Sequence, residues 1–242
     1  MEKSNIDEKI KLLTGNGMWH TQETEDLPSV QLSDGPHGLR KQEEKERQNN
    51  VSLVSTCYPT ASALACSWDV TAAERLGRAV AKEAWNADVA VLLGPGINMK
   101  RSPLCGRNFE YFSEDPFLAG RLGAAYVSAA QGEDVAVSLK HFAANNQETN
   151  RQTSNSQIDE RALREIYLSA FEYVVKTARP ATIMASYNRL NGYYACENRH
   201  LLTEILREEW GFDGVVISDW GACADLAKAV KAGMDLEMPD SH

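Results

Sequence analysis

Four short apolar runs constrain the fold of this 242-residue chain more than any other feature of its sequence. They lie at 89–93, 135–139, 181–185 and 214–217. Each run is apolar at nearly every position rather than at alternate ones, which predicts strands that are buried on both faces, as in a parallel sheet. Segments with helical spacing of apolar residues separate the runs. The chain therefore predicts a strand–helix alternation of the α/β class.

Residues that start or stop helices bound the helical segments. Thr71 and Glu74 have the spacing of a capping box, which predicts that the hydroxyl of Thr71 caps a helix. Pro180 cannot continue a helix, and Gly233 suits the position just after a helix end. The predicted helices are one that follows Thr71, one at 116–131, one from about Asp159 to Pro180, one at 198–210, and one that follows Trp220 and ends at Gly233.

Polar and reactive side chains follow almost every predicted strand, at 98–107, 140–141, 187–188 and 219–220. A doubly wound sheet gathers its ligand groups at one switch point, whereas every strand of a (β/α)8 barrel contributes to one site at its carboxyl rim. This distribution predicts a TIM-type (β/α)8 barrel. We expect the barrel to be incomplete at its C-terminal end, because 234–238 has the pattern of one more strand and no helix follows it.

The composition excludes several classes of partner. The formal net charge of −9 argues against nucleic acid. The chain has no N-terminal signal pattern and no stretch of the roughly 18 apolar residues that a membrane span requires. Its five cysteines lack disulfide or metal spacing, which is typical of free thiols in a reducing compartment. We therefore expect a cytoplasmic protein with no nucleic-acid or membrane partner, and a solvated charged loop at 40–50.

Asp219 is the strongest candidate for catalysis. It ends a predicted strand and is followed by Trp220. Cleavage of a glycoside requires a carboxylate at the anomeric carbon, and an indole suits the apolar face of a sugar. The alternative is that Ser218 or Asp219 only caps the next helix. The local sequence leaves both possibilities open.

Cationic residues cluster after another strand, at Lys140, His141 and Arg151. They could bind sugar hydroxyls and adjust the pKa of a nearby carboxyl group, or they could form ion pairs that only brace the rim. Lys140 could also be a Schiff-base nucleophile, although nothing in the sequence indicates the desolvated pocket that this requires. Asp34 lies in a turn-forming run, so it is a candidate ligand or a simple turn residue.

Cofactor and metal sites are not indicated by the sequence. The run at 94–96 is glycine-rich, but a third glycine at the spacing of a dinucleotide-binding loop is missing. The histidines and cysteines lack metal-ligand spacing. We expect neither a cofactor nor a metal.

Six segments, taken together and in this order, resemble glycoside hydrolase family 3, the β-glucosidase-like group. They cover most of the chain, and their number and order make the resemblance specific. They are LSDGPHGLR at 32–40, CYPTASALACSWD at 57–69, GPGINMKRSPLCGRNFEYFSEDP at 94–116, KHFAANNQE at 140–148 with Arg151, MASYN at 184–188, and SDW at 218–220.

The resemblance implies a retaining, exo-acting β-glycosidase that removes terminal non-reducing β-D-glycosyl residues. Asp219 would be the nucleophile that forms the covalent glycosyl-enzyme. Further residues would hold the sugar hydroxyls or line the pocket: Asp34, Arg107, Lys140, His141, Arg151, Met184, Tyr187 and Trp220. The resemblance also implies that 1–242 is an N-terminal barrel domain and that a C-terminal α/β sandwich domain of the same protein is absent from the chain.

The general acid/base is not found by this resemblance. In most of the family it is a glutamate of the second domain, and one branch carries an Asp–His pair on a loop that here reads AANNQE at 143–148. Glu148 is available in sequence, but nothing places it near Asp219. Two hypotheses therefore remain. The chain belongs to a β-glycosidase, or it is a sugar-binding barrel fragment with little or no activity.

Overall fold

The computed structural model describes residues 6–42 and 51–240. Its strands are β1 (Gly15–Asn16), β2 (His20–Thr21), β3 (Leu32–Asp34), β4 (Val91–Leu93), β5 (Ala136–Phe142), β6 (Asn155–Ser156), β7 (Thr182–Ala185), β8 (Arg189–Leu190), β9 (Tyr193–Tyr194) and β10 (Val215–Ser218). Its α-helices are α1 (Ile6–Lys11), α2 (Ala61–Ala65), α3 (Val70–Asn86), α4 (Pro116–Gln131), α5 (Glu160–Ala162), α6 (Ser169–Ala178) and α7 (Leu226–Ala232). Wider π-helical turns span Leu163–Tyr167 and His200–Glu209, and 3₁₀ turns span Asn108–Glu110 and Ala195–Glu197.

A parallel sheet organises the fold, and its strand order is β10-β7-β5-β4-β3. Neighbours in this sheet therefore follow one another along the chain. The strands are buried along most of their length, as continuous apolar runs require. Helices connect them, so the α/β class is confirmed. All the carboxyl ends lie at the same edge, which brings residues that are distant in sequence together there.

Helices α3, α4 and α6 pack side by side along the sheet, α3 against α4 and α4 against α6. Gly77 of α3 permits the first contact, because a Cβ atom at that position would lie 2.5 Å from the backbone oxygen of Tyr126 in α4. The large apolar core between the helices and the sheet includes Leu92, Leu139 and Phe171, each with no exposed surface.

A second, smaller core lies on the other side of the strands. It contains Leu32, Val91, Leu93, Met184, Ile217, Leu236 and Met238. Trp19 and Trp220 pack against it and are themselves partly buried. Side chains of a strand alternate between two faces, so Leu92 joins the helical core while its neighbours Val91 and Leu93 join this one.

Single-residue bridges extend the sheet beyond both of its edge strands. On the β10 side, Leu236 bridges in parallel to Ile217, and Glu237 bridges in parallel to Thr14. On the β3 side, His20 of β2 bridges to Gln31, next to Leu32. β1 and β2 pair with each other. The strand expected at 234–238 is thus present as two bridges rather than as a regular strand.

Two predicted helix starts were wrong. Helix α3 begins at Val70, because the carboxylate of Asp69 accepts the Thr71 backbone N–H at 2.8 Å and is the cap in place of Thr71. Helix α7 begins at Leu226 rather than soon after Trp220, since Asp225 caps it. The capping role of Gly233 is confirmed, with a left-handed φ of 112°.

The remaining helix predictions are largely confirmed. Helix α4 has the predicted bounds, and the predicted helix at 198–210 is the π-helical His200–Glu209. The predicted helix from Asp159 to Pro180 divides into α5, a π-helical turn and α6, and it ends at Arg179 in a left-handed conformation. Most of the charged loop predicted at 40–50 lies outside the described residues. Within the described ranges, no helix has the length and apolar character that a membrane span would need.

Candidate active site

A cavity of about 310 Å³ opens at the carboxyl edge of the five-stranded sheet. Asp34 ends β3, Lys140 and His141 lie near the end of β5, and Asp219 comes directly after β10. All nine site residues that the sequence indicated line this cavity. They come from motifs that are far apart in the sequence, so the motifs alone could not give the distances between these side chains. The shared edge of the parallel strands brings them together.

The carboxylate of Asp219 is buried but only half satisfied. Its Oδ1 accepts the backbone N–H of Trp220 at 2.8 Å, whereas Oδ2 has no hydrogen-bond partner. Burial raises the pKa of Asp219, and the positive charges of Arg107 and Lys140 oppose that increase without cancelling it. A buried carboxylate oxygen with no hydrogen-bond donor lowers the stability of the folded protein. Such unfavourable arrangements are common among reactive groups.

The imidazole of His141 is held neutral by its surroundings. Its Nε2 lies 2.7 Å from Nη2 of Arg107, and its Nδ1 lies 2.9 Å from the hydroxyl of Tyr111. A guanidinium can only donate, so Nε2 must accept and the ring proton must be on Nδ1. Burial, followed by the charges of Arg107 and Lys140, lowers the pKa of His141 well below its ordinary value.

This tautomer explains the unpaired oxygen of Asp219. His141 Nε2 lies 3.6 Å from Asp219 Oδ2, but its lone pair is directed to Arg107 and it carries no proton to donate. The backbone of His141 is fixed as well, because Asn98 donates to its carbonyl oxygen at 2.8 Å and accepts from its N–H at 2.7 Å. The imidazole is therefore locked beside the carboxylate without neutralising it.

Two of the arginines that line the cavity, Arg107 and Arg151, are each anchored by a glutamate. Arg107 Nε donates to Glu110, and Arg151 Nη1 donates to Glu148 at 2.8 Å. Glu148 also lies 4.0 Å from Arg107, so it links both cations. Arg151 in addition stacks over the ring of Tyr187, with its guanidinium carbon 4.3 Å from the ring centroid. These contacts fix the direction of the remaining N–H groups.

Lys140 and Asp34 form the next ion pair around the cavity. Lys140 Nζ lies 3.5 Å from Asp34 Oδ1, and the lysine side chain is almost fully buried. Arg40 lies 3.9 Å from the other oxygen of Asp34. Lys140 is therefore engaged in an ion pair with Asp34, which does not match the isolated amine in an apolar pocket that a Schiff base requires. We refer to Asp34, Arg107, Lys140, His141 and Arg151 as the charged wall.

Aromatic and thioether groups form another part of the cavity lining. The indoles of Trp19 and Trp220 lie with their ring centroids 5.2 Å apart, tilted by 37°. The hydroxyl of Tyr187 donates to the backbone oxygen of Trp220 at 3.1 Å. Met184 is buried beneath them in the smaller core. We refer to Trp19, Met184, Tyr187 and Trp220 as the aromatic wall.

The capping alternative for Asp219 does not hold in this structure. Helix α7 has its own cap, because Asp225 accepts the Lys228 backbone N–H at 3.0 Å. Five residues separate Asp219 from that position, and its carboxylate faces the cavity instead. Among the residues that the structure describes, no group of three or more His, Cys, Asp or Glu side chains is arranged to hold a metal ion.

Comparison with known proteins identifies the family. Residues 32–242 match the model described as the glycosyl hydrolase family 3 N terminal domain. The chain belongs to glycosyl hydrolase family 3. It is 52% identical to the thermostable β-glucosidase B of Acetivibrio thermocellus, with 100% of this chain and 33% of the relative covered. It is 50% identical to an exo-α-(1→6)-L-arabinopyranosidase of Bifidobacterium longum, with 98% of this chain and 32% of the relative covered.

Solved structures of related β-glucosidases share the fold of this chain. The β-glucosidase of Kluyveromyces marxianus, crystallised in complex with glucose, superposes with a TM-score of 0.94 at 43% identity. The match covers 99% of this chain and 28% of that one. The chain thus spans about a third of the length of the family 3 relatives that it matches.

Sequence reasoning missed two residues that line the cavity, Trp19 and Arg40, and several residues that hold the lining in place. Trp19 lies before the family 3 match and in no recognisable motif. Arg40 was assigned to the solvated loop, yet it lines the cavity, with about half of its side chain exposed. Asn98, Glu110 and Tyr111 lie within the motif at 94–116, but its irregular loop gives no period from which their contacts with His141 and Arg107 could be inferred.

Proposed function

We propose that this chain is the nucleophile-bearing part of a retaining, exo-acting β-glycosidase that acts on terminal non-reducing β-D-glucosyl residues. The observation that carries the proposal is the unpaired Oδ2 of Asp219, which is buried in the cavity at the edge of the sheet. A nucleophilic carboxylate must be ionised and must keep one oxygen free to bond to the anomeric carbon.

The surroundings of Asp219 suit this role. Its Oδ1 is fixed by the backbone N–H of Trp220, which leaves Oδ2 to attack. Arg107 and Lys140 favour the ionised form through their charge, and neither forms a hydrogen bond that would have to be broken first. Attack forms a bond from Oδ2 to the anomeric carbon and releases the leaving-group oxygen, which takes a proton. Water then hydrolyses the ester and restores the carboxylate.

The charged wall suits the recognition of one sugar ring. Guanidinium and ammonium groups donate to hydroxyl oxygens, and the carboxylate of Asp34 can accept from two hydroxyl groups. The anchors of Arg107 and Arg151 keep these groups in place before the sugar arrives, so less entropy is lost on binding. The cavity volume of about 310 Å³ is consistent with one bound pyranose and the start of a leaving group.

We propose that the strands close into a (β/α) barrel. The sequential strand order supports it, since neighbours in a barrel sheet follow one another along the chain. The bridges at Thr14, His20 and Leu236 support it too, because they lead from β10 through β1 and β2 back to β3. In this proposal 1–242 is the N-terminal barrel domain of a longer protein, and the second domain lies outside the chain.

We propose that the general acid/base also lies outside this chain. The carboxylates near the charged wall are already engaged: Asp34 with Lys140, Glu110 with Arg107, and Glu148 with Arg151. A general acid must be positioned to give a proton to the leaving-group oxygen, and each of these carboxyl groups is instead in contact with a cation. Glu148 is accordingly an anchor for the two arginines in this proposal.

Covalent labelling tests the nucleophile directly. A 2-deoxy-2-fluoro-β-glucoside with a dinitrophenolate leaving group needs no general acid, so it should label the chain even alone. Intact-mass analysis should detect one fluoroglucosyl group, and peptide mapping should place it on Asp219. Asp219→Asn should not react, whereas Asp225→Asn should label like the wild type. Label on another residue, or none on folded full-length protein, would overturn the proposal.

A second candidate function is that the chain by itself binds sugars with little or no turnover. The engaged carboxylates near the charged wall favour it. General acid catalysis contributes roughly 10²–10⁴-fold, so full-length protein should exceed the chain by about that factor on a glycoside with a poor leaving group. Equal rates would instead place the acid within 1–242.

The sugar specificity can be tested with a panel of aryl glycosides. One relative is named a β-glucosidase and another an exo-α-(1→6)-L-arabinopyranosidase, so β-D-glucosides and α-L-arabinopyranosides are the two substrates to compare. The proposal expects the higher kcat/KM with the β-D-glucoside. A higher kcat/KM with the arabinopyranoside would overturn the proposed sugar substrate but not the proposed nucleophile.

A further inference from the structure

Trp19 contributes to the cavity from outside the part of the chain that matches the family model. The match begins at residue 32, and Trp19 precedes β2 in the first hairpin. It nevertheless lines the same cavity as Asp219 and Trp220. The N-terminal hairpin therefore contributes a side chain to the cavity.

Hydrogen bonds hold this hairpin against both the sheet and Trp220. The backbone oxygen of Trp19 accepts from Leu32 N at 2.7 Å, at the start of β3. The indole N–H of Trp19 donates to Gln42 at 3.1 Å, and the indole N–H of Trp220 donates to the backbone oxygen of Met18 at 2.8 Å. Both indole N–H groups are thus used within the protein. What the pair offers to the cavity is apolar ring surface.

The position of the pair relates it to the sugar. Trp220 follows Asp219 directly, and its backbone N–H holds Asp219 Oδ1. Trp19 packs against Trp220 and against the smaller core, so it limits how the second indole can tilt. A β-glucopyranose has equatorial hydroxyls that can face the charged wall, and its axial C–H groups can rest on aromatic surface.

We propose that Trp19 is a sugar-positioning residue. It holds the indole of Trp220 beside Asp219, so that a pyranose gripped by the charged wall rests against the aromatic wall with its anomeric carbon at Oδ2. This inference rests on the proposed glycosidase function. It assigns to residues 14–21 a part in the substrate site, although the motifs that indicate the family begin only at residue 32.

The test uses three variants of the full-length protein. Trp19→Ala removes the packing, Trp19→Phe keeps an aromatic ring, and Trp85→Ala is a matched control. Trp85 lies on α3, has 60% of its surface exposed and does not line the cavity. KM and kcat are measured with the aryl glycoside that the wild type hydrolyses best. The inhibition constant of the corresponding free sugar is measured in parallel.

Trp19→Ala should raise both KM and the inhibition constant by about tenfold, the range expected for losing an aromatic pair. Trp19→Phe should stay within about threefold of the wild type, and Trp85→Ala should not differ from it. A purely structural role would lower the fraction of folded enzyme and so the apparent kcat, but it would leave KM and the inhibition constant unchanged.

Unchanged KM and inhibition constant in Trp19→Ala would overturn the inference, and turnover by the wild type would show that the proposed function still stands. If the wild-type full-length protein neither hydrolyses the glycosides nor labels at Asp219, the proposed function fails and the inference fails with it. A tenfold effect in Trp85→Ala would also count against it, because the change would then not be specific to the cavity.

Discussion

The charged wall and the aromatic wall of the cavity differ in the partners of their polar groups. On the charged wall, the cations have carboxylate partners: Lys140 pairs with Asp34, and Arg151 pairs with Glu148. On the aromatic wall, the indole N–H groups of Trp19 and Trp220 are directed to other parts of the protein, and apolar surface remains. The first wall is rigid through ion pairs, and the second is rigid through packing.

Asp219 lies where the two walls meet, and its properties come from both. Burial beside the aromatic wall raises its pKa, while Arg107 and Lys140 act in the other direction. His141 lies 3.6 Å away but accepts from Arg107, so it gives the carboxylate no proton. Asp219 therefore has one oxygen held by a backbone N–H, one oxygen without a hydrogen-bond partner, and two cations that act through charge alone.

The largest expected effect is the loss of catalysis in Asp219→Asn. Asparagine keeps the shape of the side chain but cannot form the glycosyl ester, so kcat/KM of the full-length protein should fall by at least about 10⁴-fold. Steady-state kinetics with an aryl β-glucoside measure this. Asp225→Asn is the control, since that residue caps α7 and should leave kcat/KM unchanged. A fall of less than tenfold in Asp219→Asn would remove the nucleophile from this position.

The next effect tests the charged wall through Arg107→Lys. Lysine keeps the charge but cannot contact Glu110 and His141 together, as the guanidinium does. Misplacement of the sugar should lower kcat/KM by about 10²-fold. Arg121→Lys is the control, because Arg121 stacks on Phe117 and Tyr173 away from the cavity. If both variants behave alike, the geometry of Arg107 contributes nothing beyond its charge.

The sequence predicted the strands and the residues of the charged wall better than it predicted the aromatic wall. The strands are continuous apolar runs, and polar residues after them were expected at one edge of the sheet. Lys140 and Asp219 follow that rule, whereas Asp34 ends β3, a strand that the apolar pattern did not predict. Trp19 does not follow the rule, because it comes from a hairpin that is tied to the sheet by single bridges and by the Leu32 contact.

The positioning residues of the cavity could not be found from local patterns. Asn98 acts through two hydrogen bonds to the backbone of His141, 43 positions away in sequence. The proton position on His141 depends on Arg107 and Tyr111, which reach it from an irregular loop. Such contacts depend on tertiary structure, whereas helix caps depend on residues a few positions apart. Even there, Asp69 displaced Thr71 as the cap.

A smaller effect separates anchoring from acid catalysis at Glu148. Glu148→Gln weakens the contacts to Arg151 and Arg107 but keeps the size of the side chain. We expect KM to rise by less than about tenfold with little change in kcat, because a charge-assisted hydrogen bond is replaced by a neutral one, a difference of roughly 1 kcal/mol. A role as general acid would instead lower kcat by roughly 10²–10⁴-fold for a poor leaving group. Comparing substrates with poor and good leaving groups distinguishes the two.

The smallest expected effect concerns stability and its dependence on pH. The pKa of Asp219 is raised in the folded protein, so the folded state binds more protons than the unfolded state between the two pKa values. Stability is therefore lost as pH rises through that window, because the buried group becomes charged. Asp219→Asn carries no charge. It should match the wild type at low pH and be more stable at neutral pH, with a Tm gain of roughly 2–4 °C per 1 kcal/mol.

Asp225→Asn gives the opposite sign and so serves as the matched control for this last effect. The pKa of Asp225 is lowered by the backbone N–H of Lys228, which its carboxylate caps. Its contribution to stability is present at neutral pH and is lost as pH falls through the lowered pKa, so Asp225→Asn should be slightly less stable than the wild type at neutral pH. Thermal unfolding across a pH series measures both variants. If Asp219→Asn is no more stable than the wild type at neutral pH, the charge of Asp219 is fully compensated in the folded protein. The difference between the two walls would then not destabilise the ionised carboxylate.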